Sequence, residues 1–256
     1  MRESLLADFA TLQVPLTAEV FDAALARAER ECLSHTQFLH LLMAEPAQRR
    51  RERRIEHRIR EARFVERKPL AEFDWNFNKA AIDRVQIEDL ATGAFIHRQD
   101  NLVIVGQSGV GKSYLIQAIG ESACVRGYSV RYTTSAELLT DLTKSLADQT
   151  LPQRVRYYAR FDLLVIDEFG FDRIERTESP QAANLLYKVI DARSRERSTA
   201  LVTNIDFDTW GDYLGDPPLA MAFLDRIVDG AIILKLNGKS YRAHRAQTSK
   251  TETAKS

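Results

Sequence analysis

The chain has 256 residues, of which 45% are hydrophobic and 28% charged, values typical of a globular protein large enough to bury a core. Basic and acidic side chains balance at 36 each. No apolar run is long enough to cross a bilayer, so we expect no membrane-spanning helix and no membrane partner. The two cysteines, Cys32 and Cys124, lack metal-ligand spacing and form no disulfide framework. The absence of a disulfide framework indicates a reducing compartment, and the start has no apolar signal region, so we expect a cytoplasmic protein.

Charge is unevenly distributed along this neutral chain. Residues 48–68 carry 10 basic and 4 acidic side chains, and residues 235–256 carry 6 basic and 1 acidic. Residues 69–234, in contrast, carry 17 basic and 24 acidic side chains. Such segregation indicates a charged partner, and a polyanion is the obvious candidate.

The first part of the chain has a helical pattern. Apolar residues at three- and four-residue steps predict a helix over 17–31, and Ser34 is a suitable N-cap for a second helix over 34–43. A basic helix is predicted from about Ala47 to Glu66, and Pro69 is expected to end it. Its arginines outnumber the local acids, which predicts contacts with the phosphate backbone of duplex DNA, and a solvated connector helix is the alternative. The candidate DNA contacts are Arg49, Arg50, Arg53, Arg54 and Arg58.

The pattern changes at about residue 80 to short apolar runs that alternate with amphipathic stretches. Before it lies an aromatic segment, Phe73–Phe77, which we expect to be an ordered connector. Helices are expected near 112–125, 135–147, 181–195 and 219–228, and Thr134 and Glu137 form a candidate capping box. The predicted strands are Asn101–Val105, Ser129–Thr133, Asp162–Ile166, Thr199–Thr203 and Ala231–Leu236. This alternation predicts an α/β fold, a three-layer sandwich with a mainly parallel five-stranded sheet.

A glycine-rich motif follows the first predicted strand and opens the next helix. It matches the pattern G-x-x-x-x-G-K-[ST] and consists of Gly106, Gln107, Ser108, Gly109, Val110, Gly111, Lys112 and Ser113. Backbone amides of such a loop and the N-terminus of the following helix meet the negative charge of phosphates. Lys112 is predicted to reach the β- and γ-phosphates of ATP, and the hydroxyl of Ser113 to bind Mg²⁺. A glycine-rich turn without a ligand is the alternative.

The apolar run Leu163–Ile166 ends in two acids, Asp167 and Glu168. A buried strand followed by carboxylates delivers them to the carboxyl edge of the sheet, where α/β proteins bind ligands. Asp167 is predicted to bind the nucleotide's Mg²⁺, and Glu168 to activate the attacking water as general base. The alternative is a core strand that leads into an acidic loop. The second acid favours ATP hydrolysis over phosphoryl transfer to a small molecule.

Three more polar residues are candidates for the same chemistry. Asn204 follows the strand Thr199–Thr203, where an amide would orient the attacking water, and a simple turn residue is the alternative. Arg226 and Arg242 are candidates for stabilising the transferred charge, and a surface ion pair is the alternative for each. Their spacing does not show whether they act in the same subunit or on a neighbour.

Together these motifs resemble the IstB-like transposition helper proteins, which belong to the AAA+ ATPases and are similar to DnaC-type helicase loaders. The likeness extends upstream through the arginine-rich helix, the Phe-Asp-Trp connector and Ile87–Asn101, and it covers about residues 10–245. One departure is the run Phe169–Ile174, where the family more often has a Leu-Gly-Tyr-Leu-Pro-like turn. Besides the glycine-rich loop and Leu163–Glu168, the residues that carry the resemblance are Thr203-Asn204, Trp210-Gly211, Gly215-Asp216-Pro217, Leu224-Asp225-Arg226 and Gly238-x-Ser240-Tyr241-Arg242.

The resemblance implies a bacterial protein, encoded beside a transposase, that assembles with ATP on duplex DNA and passes the target site to that transposase. It implies an ATP-dependent homo-oligomer whose ATPase activity is stimulated by DNA or by the partner. Asn204 would be the sensor 1 residue and Arg226 an arginine finger that acts on the adjacent subunit's ATP. Arg242 would be a sensor-like arginine.

The predicted organisation has three parts: a helical N-terminal domain over 1–68 for DNA binding or oligomerisation, an AAA+ ATPase domain over 69–245 and a disordered tail over 246–256. A replicative helicase loader with the same chemistry is the nearest alternative function. A small-molecule kinase would need an acceptor pattern, which the sequence does not contain. A structural filament former with an inert nucleotide site would not need the adjacent acids Asp167 and Glu168.

Overall fold

The computed structural model describes residues 1–170, 181–214 and 216–244. The chain divides into two compact units, Met1–His57 and Arg58–Ser256. The predicted division into domains at residue 68 stays a prediction. Two predictions fall outside the described residues. One is the disordered tail over 246–256, and the other concerns positions 171–174, which belong to the run that departs from the family pattern. Within the described ranges no helix is both long and apolar enough to cross a membrane.

The first unit consists of helices. Its small core contains Phe21, Ala24 and Leu42, which pack with partly buried leucines and Phe38. The side chain of Thr17 caps α2 by accepting a hydrogen bond from the backbone amide of Val20. The helices are α1 (Arg2–Thr11), α2 (Ala18–Arg30) and α3 (His35–Ala62), of which α3 continues into the second unit. We did not predict α1, which has no fully buried residue, although its Leu6 packs partly buried against this core.

The predictions of separate helices over 34–43 and from Ala47 to Glu66 were wrong, because α3 is one continuous helix with Pro46 inside it. A proline in a helix interior costs about 3 kcal/mol, but Pro46 is buried, so packing offsets part of that cost. The expected end of this helix at Pro69 was also wrong. It ends at Ala62, because Arg63 adopts a left-handed conformation with φ of 57° that stops the helix.

The second unit is an α/β fold. Its strands are β1 (Leu102–Gly106), β2 (Val130–Thr134), β3 (Leu163–Phe169), β4 (Ser198–Thr203) and β5 (Ile232–Leu236). Its helices are α4 (Arg84–Ala91), α5 (Ala94–His97), α6 (Lys112–Arg126), α7 (Ser135–Ala147), α8 (Leu151–Ala159), α9 (Ala182–Asp191), α10 (Trp210–Leu214) and α11 (Pro217–Val228), with short 3-10 turns at Leu70–Glu72 and Phe207–Thr209. The five predicted strands and the four predicted helices are all present, and the capping box of Thr134 and Glu137 begins α7.

Four short helices of this unit, α4, α5, α8 and α10, were not predicted. They have between 4 and 9 residues, too few for an apolar repeat to stand out from the surrounding sequence. Several of their apolar residues are nevertheless buried, among them Ile87 and Leu90 of α4 and Trp210 of α10. These helices are therefore stabilised by packing against residues distant in the sequence, which a local pattern does not show.

All five strands are parallel, in the order β2-β3-β4-β1-β5. The sheet is therefore fully parallel, and the carboxyl ends of its strands meet at one edge. β4 lies between β1 and β3, although it follows both in the chain. This order places the loop after β1 and the end of β3 on either side of the end of β4.

Helices cover both faces of the sheet, as expected for parallel strands buried on each side. Val103, Leu164 and Leu201 on one face pack in a cluster with residues of α7, α9 and α11. Neighbouring residues such as Leu102 and Ile104 point to the other face, where α6 contacts the sheet. The result is the predicted three-layer sandwich.

A buried arginine fastens the amino-terminal ends of the strands. Arg193, just after α9, is only 1% exposed. Its guanidinium donates to the carbonyl oxygens of Tyr158 at 2.7 Å and Phe161 at 2.9 Å, and to Thr199 Oγ1 at 3.1 Å. It also donates to the carbonyl of Ser198. One side chain therefore joins the end of α8 to the starts of β3 and β4.

Replacing Arg193 by leucine is expected to lower the free energy of unfolding by about 3–5 kcal/mol, because it leaves several buried carbonyl groups without donors. The melting temperature should fall by roughly 10 °C. The control is Arg195→Leu, since Arg195 is exposed and its ion pair with Asp229 is 3.6 Å long. Thermal unfolding of the full chain checks both variants, and equal melting temperatures would contradict the role of Arg193.

Candidate functional site

A cavity of about 510 Å³ lies at the carboxyl edge of the sheet. Its walls come from the loop after β1, the ends of β3 and β4, and residues within 66–78 and 241–242. The cavity brings together ten of the predicted site residues: Ser108, Gly109, Val110, Gly111, Lys112, Ser113, Asp167, Glu168, Asn204 and Arg242.

The glycine-rich loop connects the end of β1 at Gly106 to the start of α6 at Lys112. Gly109 and Gly111 have φ angles of 85° and 106°, a region that favours glycine. A side chain at Gly109 would also collide with the Oγ atom of Ser240. The loop thus turns the N-terminus of α6, with its free backbone amides, toward the cavity.

The Lys112 ammonium group lies inside this loop. It donates to the carbonyl oxygens of Gly106 at 2.6 Å and Gln107 at 2.8 Å. Burial lowers the pKa of Lys112, the Asp167 carboxylate opposes this effect, and the positive charge of Arg242 adds to it. Lys112 lines the cavity, and both Asp167 and Arg242 are near enough to act on its charge.

Asp167 is 2% exposed and lies near the end of β3. Its Oδ2 accepts a hydrogen bond from the Tyr132 hydroxyl at 2.8 Å, and its Oδ1 accepts one from the backbone amide of Glu168 at 2.7 Å. Burial, and then the Asp167 carboxylate, raise the pKa of Tyr132, so the hydroxyl keeps its proton. The carboxylate is held by two donors and is still part of the cavity wall.

Glu168 sits in a bulge of β3. The register with β4 shifts between Ile166 and Phe169, and Glu168 has a φ of 61°. This bulge lets Phe169 point into the core while the side chain of Glu168 is exposed at the cavity. The strand therefore runs three residues beyond its predicted end at Ile166, and both acids belong to it.

Asn204 and Arg242 complete the cavity wall from two other directions. Asn204 follows β4, whose last residue Thr203 donates from Oγ1 to the carbonyl of Phe169 at 2.9 Å. Arg242 belongs to the segment after β5, and that segment is anchored by the Tyr241 amide, which donates to the Gly109 carbonyl at 2.9 Å. Both side chains could therefore contact a ligand that is bound by the glycine-rich loop.

Arg226 is not part of this cavity. Its backbone carbonyl accepts a hydrogen bond from Asn101 Nδ2 at 3.0 Å, and Asn101 precedes β1. Arg226 therefore lies near the start of β1, whereas the glycine-rich loop follows its end, roughly 17 Å further along a five-residue strand. Its guanidinium pairs with Asp191 and Asp225, each at 3.1 Å.

The candidate DNA-binding arginines lie on α3. Arg50, Arg53 and Arg54 have exposed side chains. Arg49 is also exposed, and it pairs with Glu45 one helical turn earlier. Arg58 differs, because it is half-buried and its guanidinium lies near Gly127 at the C-terminus of α6. A cation at that position stabilises the end of a helix, which gives Arg58 a structural role.

The aromatic connector is ordered, as predicted. The ring of Phe73 packs against Tyr114 of α6, with 5.2 Å between ring centroids, and Phe77 packs against Tyr241 at 5.0 Å. Phe73 also lies next to Gly111. The connector therefore forms one wall of the cavity.

Sequence reasoning missed two residues that support the site. Tyr132 of β2 binds Asp167, and the buried Gln117 of α6 donates to the Ser113 carbonyl at 3.0 Å. Neither residue belongs to a local motif, since each acts on a partner that only the fold brings close. A polar residue in an otherwise apolar buried stretch is the one signal that would have drawn attention to Gln117.

A parallel sheet of this strand order, with a glycine-rich phosphate-binding loop after β1 and acids at the end of β3, defines a P-loop protein with the AAA+ fold. A family model described as IstB-like ATP binding protein matches residues 7–249. The chain belongs to this family.

Similar proteins carry related descriptions. One, named as an ATP-binding protein of insertion sequence IS232 from Bacillus thuringiensis subsp. berliner, is 36% identical over 193 residues, which cover 75% of each chain. Another, named as an ATP-binding protein of insertion sequence IS5376 from Geobacillus stearothermophilus, is 31% identical over 231 residues, or 90% of each chain.

Two solved structures share the fold. The crystal structure of DnaI has 23% identity and a TM-score of 0.55, and the match covers 66% of this chain and 91% of that one. AMPPCP-bound DnaA from Aquifex aeolicus has 19% identity and a TM-score of 0.55, with 74% of this chain and 56% of that one covered. At these identities the likeness extends to the fold alone.

Replacing Lys112 by alanine is expected to abolish detectable nucleotide binding, because it removes the lysine side chain that the glycine-rich loop holds at the cavity. Titration with a fluorescent ATP analogue measures the effect. Lys144→Ala is the control, since Lys144 is exposed on α7. Retention of tight binding by Lys112→Ala would contradict the placement of the triphosphate in this loop.

Proposed function

We propose that the protein is an ATPase that uses ATP and Mg²⁺, assembles with copies of itself on duplex DNA and regulates a transposase encoded by the same insertion sequence. The observation that carries this proposal is the meeting of Lys112, Asp167, Glu168 and Asn204 around one cavity. The names of the insertion-sequence relatives support the biological setting.

The donors at the cavity fit Mg²⁺. Ser113 supplies a hydroxyl and Asp167 a carboxylate, which are the hard oxygen ligands that this ion takes. Among the described residues no group of three or more His, Cys, Asp or Glu could hold a metal by itself. That arrangement suits Mg²⁺, which is usually bound by one or two protein oxygens together with phosphates. When bound there, the ion neutralises charge that develops on the β- and γ-phosphates.

The proposed reaction is attack of water on the γ-phosphate, which breaks the bond between the γ-phosphorus and the bridging oxygen and releases ADP and phosphate. The amides of the glycine-rich loop and Lys112 bind the phosphates. The phosphates are therefore already positioned before the reaction starts, which lowers its entropic cost. Glu168 accepts the proton of the attacking water, and the Asn204 amide orients that water. Arg242, in the same cavity, stabilises the transferred charge. The bulge in β3 supports these roles, because it exposes Glu168 while Asp167 stays anchored.

Arg226 is proposed to act on the ATP of a neighbouring subunit. Its location near the start of β1 keeps it away from the cavity of its own subunit. Its ion pairs with Asp191 and Asp225 are exposed, and such pairs contribute only about 0–1 kcal/mol. Exchanging them for a phosphate of another subunit would therefore cost little. This geometry supports self-assembly as part of the function.

DNA binding is proposed for the exposed arginines of α3, namely Arg49, Arg50, Arg53 and Arg54. Phosphate contacts of this kind do not depend on sequence and weaken as salt increases. The half-buried position of Arg58 at the end of α6 makes it the weakest of the five candidates.

Replacing Glu168 by glutamine is expected to leave ATP binding intact and to slow hydrolysis at least about a hundredfold, because the amide cannot accept the proton of water. Phosphate release, measured with and without duplex DNA and with no other phosphate acceptor, tests both the ATPase activity and its stimulation. Glu88→Gln, on the exposed face of α4, is the control. Turnover by Glu168→Gln within a few-fold of the unchanged protein would remove Glu168 from the role of general base.

Charge reversal of Arg50, Arg53 and Arg54 to glutamate is expected to weaken binding to duplex DNA by a similar factor for unrelated sequences. The slope of log affinity against log salt should fall by about 0.9 for each DNA phosphate that the protein no longer neutralises. The matched control reverses Arg98, Arg156 and Arg195, which are exposed on other elements and give the same change in net charge. Fluorescence anisotropy with labelled duplexes measures both. If the two triple variants bind alike, the DNA site lies elsewhere on the chain.

A further inference from the structure

Tyr132 is a buried tyrosine on the edge strand β2, with 5% of its surface exposed. In the register of β2 with β3, Thr134 lies opposite Asp167, and Tyr132 lies two residues earlier. The tyrosine side chain reaches along the strand, so that its hydroxyl donates to Asp167 Oδ2 at 2.8 Å. The buried hydroxyl thus binds Asp167, a buried acid of the cavity wall.

The second oxygen of the same carboxylate is also engaged. Asp167 Oδ1 accepts from the backbone amide of Glu168 at 2.7 Å, within the bulge of β3. Two donors, one on each oxygen, fix the plane of a carboxylate group. Each oxygen keeps a second lone pair that is available to a ligand.

The ring of Tyr132 is itself held in place. Phe64, the second residue after α3, packs against it with 6.2 Å between ring centroids. The Phe64 ring also lies so close to Gly120 of α6 that a Cβ there would be 2.8 Å from it. The direction of the hydroxyl is therefore set by packing of the ring as well as by the hydrogen bond.

We propose that Tyr132 is a positioning residue for a divalent-cation site, which orients the Asp167 carboxylate for a hard cation such as Mg²⁺ or Mn²⁺ bound with the nucleotide. The inference rests on the proposed function and adds a residue outside the recognised motifs. Tyr132 touches neither the nucleotide nor the cation and acts through Asp167. Groups that orient a metal ligand in this way typically change metal affinity by 10- to 100-fold when they are removed.

The test compares two tyrosine variants that each remove one buried hydroxyl. Tyr132→Phe keeps the ring that packs on Phe64. Tyr158→Phe is the matched control, because Tyr158 is 3% exposed and donates to Asp141 Oδ2 at 2.7 Å, away from the cavity. Both variants lack a hydrogen bond between a buried tyrosine and an aspartate, so we expect similar decreases in stability.

Binding of a fluorescent ATP analogue to the full chain is measured first in EDTA and then as MgCl₂ is added. Mn²⁺ titrated with the ATP complex, followed by electron paramagnetic resonance, gives metal affinity directly. Tyr132→Phe is expected to need about tenfold more cation for half-saturation. Its nucleotide affinity in EDTA should stay within about twofold of the unchanged protein, and Tyr158→Phe should match the unchanged protein in both conditions.

The outcomes separate the inference from the proposed function. If Mg²⁺ and Mn²⁺ do not change nucleotide binding by the unchanged protein, there is no cation site. That result overturns both the role of Tyr132 and the proposed Mg²⁺-dependent function. If the unchanged protein responds, and Tyr132→Phe has the same cation midpoint as Tyr158→Phe, only the role of Tyr132 is overturned. A shift of equal size in both variants also overturns it, since the effect would then come from reduced stability.

Discussion

The parallel register of β1, β3 and β4 is the constraint on which the rest of the site depends. Because β4 is inserted between the other two, the glycine-rich loop, the two acids and Asn204 arrive at one edge within reach of a single ligand. The helix α6 begins at that edge, so its N-terminus and Lys112 lie where they would favour a negatively charged ligand. The buried Arg193 fastens the opposite ends of β3 and β4, which keeps the strand tips in register.

The residues directly after α3 are fastened to both proposed metal ligands. Gln117 accepts hydrogen bonds from the backbone amides of Val65 at 3.0 Å and Glu66 at 3.2 Å, and it donates to the Ser113 carbonyl at 3.0 Å. On the other side Phe64 packs on the ring of Tyr132, which binds Asp167. A displacement of residues 64–66 would therefore disturb the hydrogen bonds that Gln117 makes next to Ser113 and the packing of Tyr132, which binds Asp167. The hydrogen bonds of Gln117 are part-buried, in contrast to the exposed ion pair between Arg49 and Glu45 on α3.

The parts of the site that sequence analysis predicted are those in which one short segment carries both the residues and the geometry. The loop from Gly106 to Ser113 is an example, since its glycines and its place between strand and helix are visible in eight residues. Tyr132 could not be predicted, because its importance depends on the pairing of β2 with β3. The continuity of α3 through Pro46 was missed for a related reason, as burial offsets the local penalty of the proline.

The sequence alone left open on which nucleotide Arg226 acts, and its position in the fold limits the possibilities. Spacing allowed Arg226 and Arg242 to act on the same nucleotide, but the structure places only Arg242 at the cavity. Arg226 is separated from the glycine-rich loop by the length of β1, and no side-chain rotation spans that distance. Its exposed pairing with Asp191 leaves it at the surface, where a second molecule can reach it. Any contribution of Arg226 to ATP chemistry therefore requires contact between two subunits, and under the proposed function this requirement would link hydrolysis to assembly.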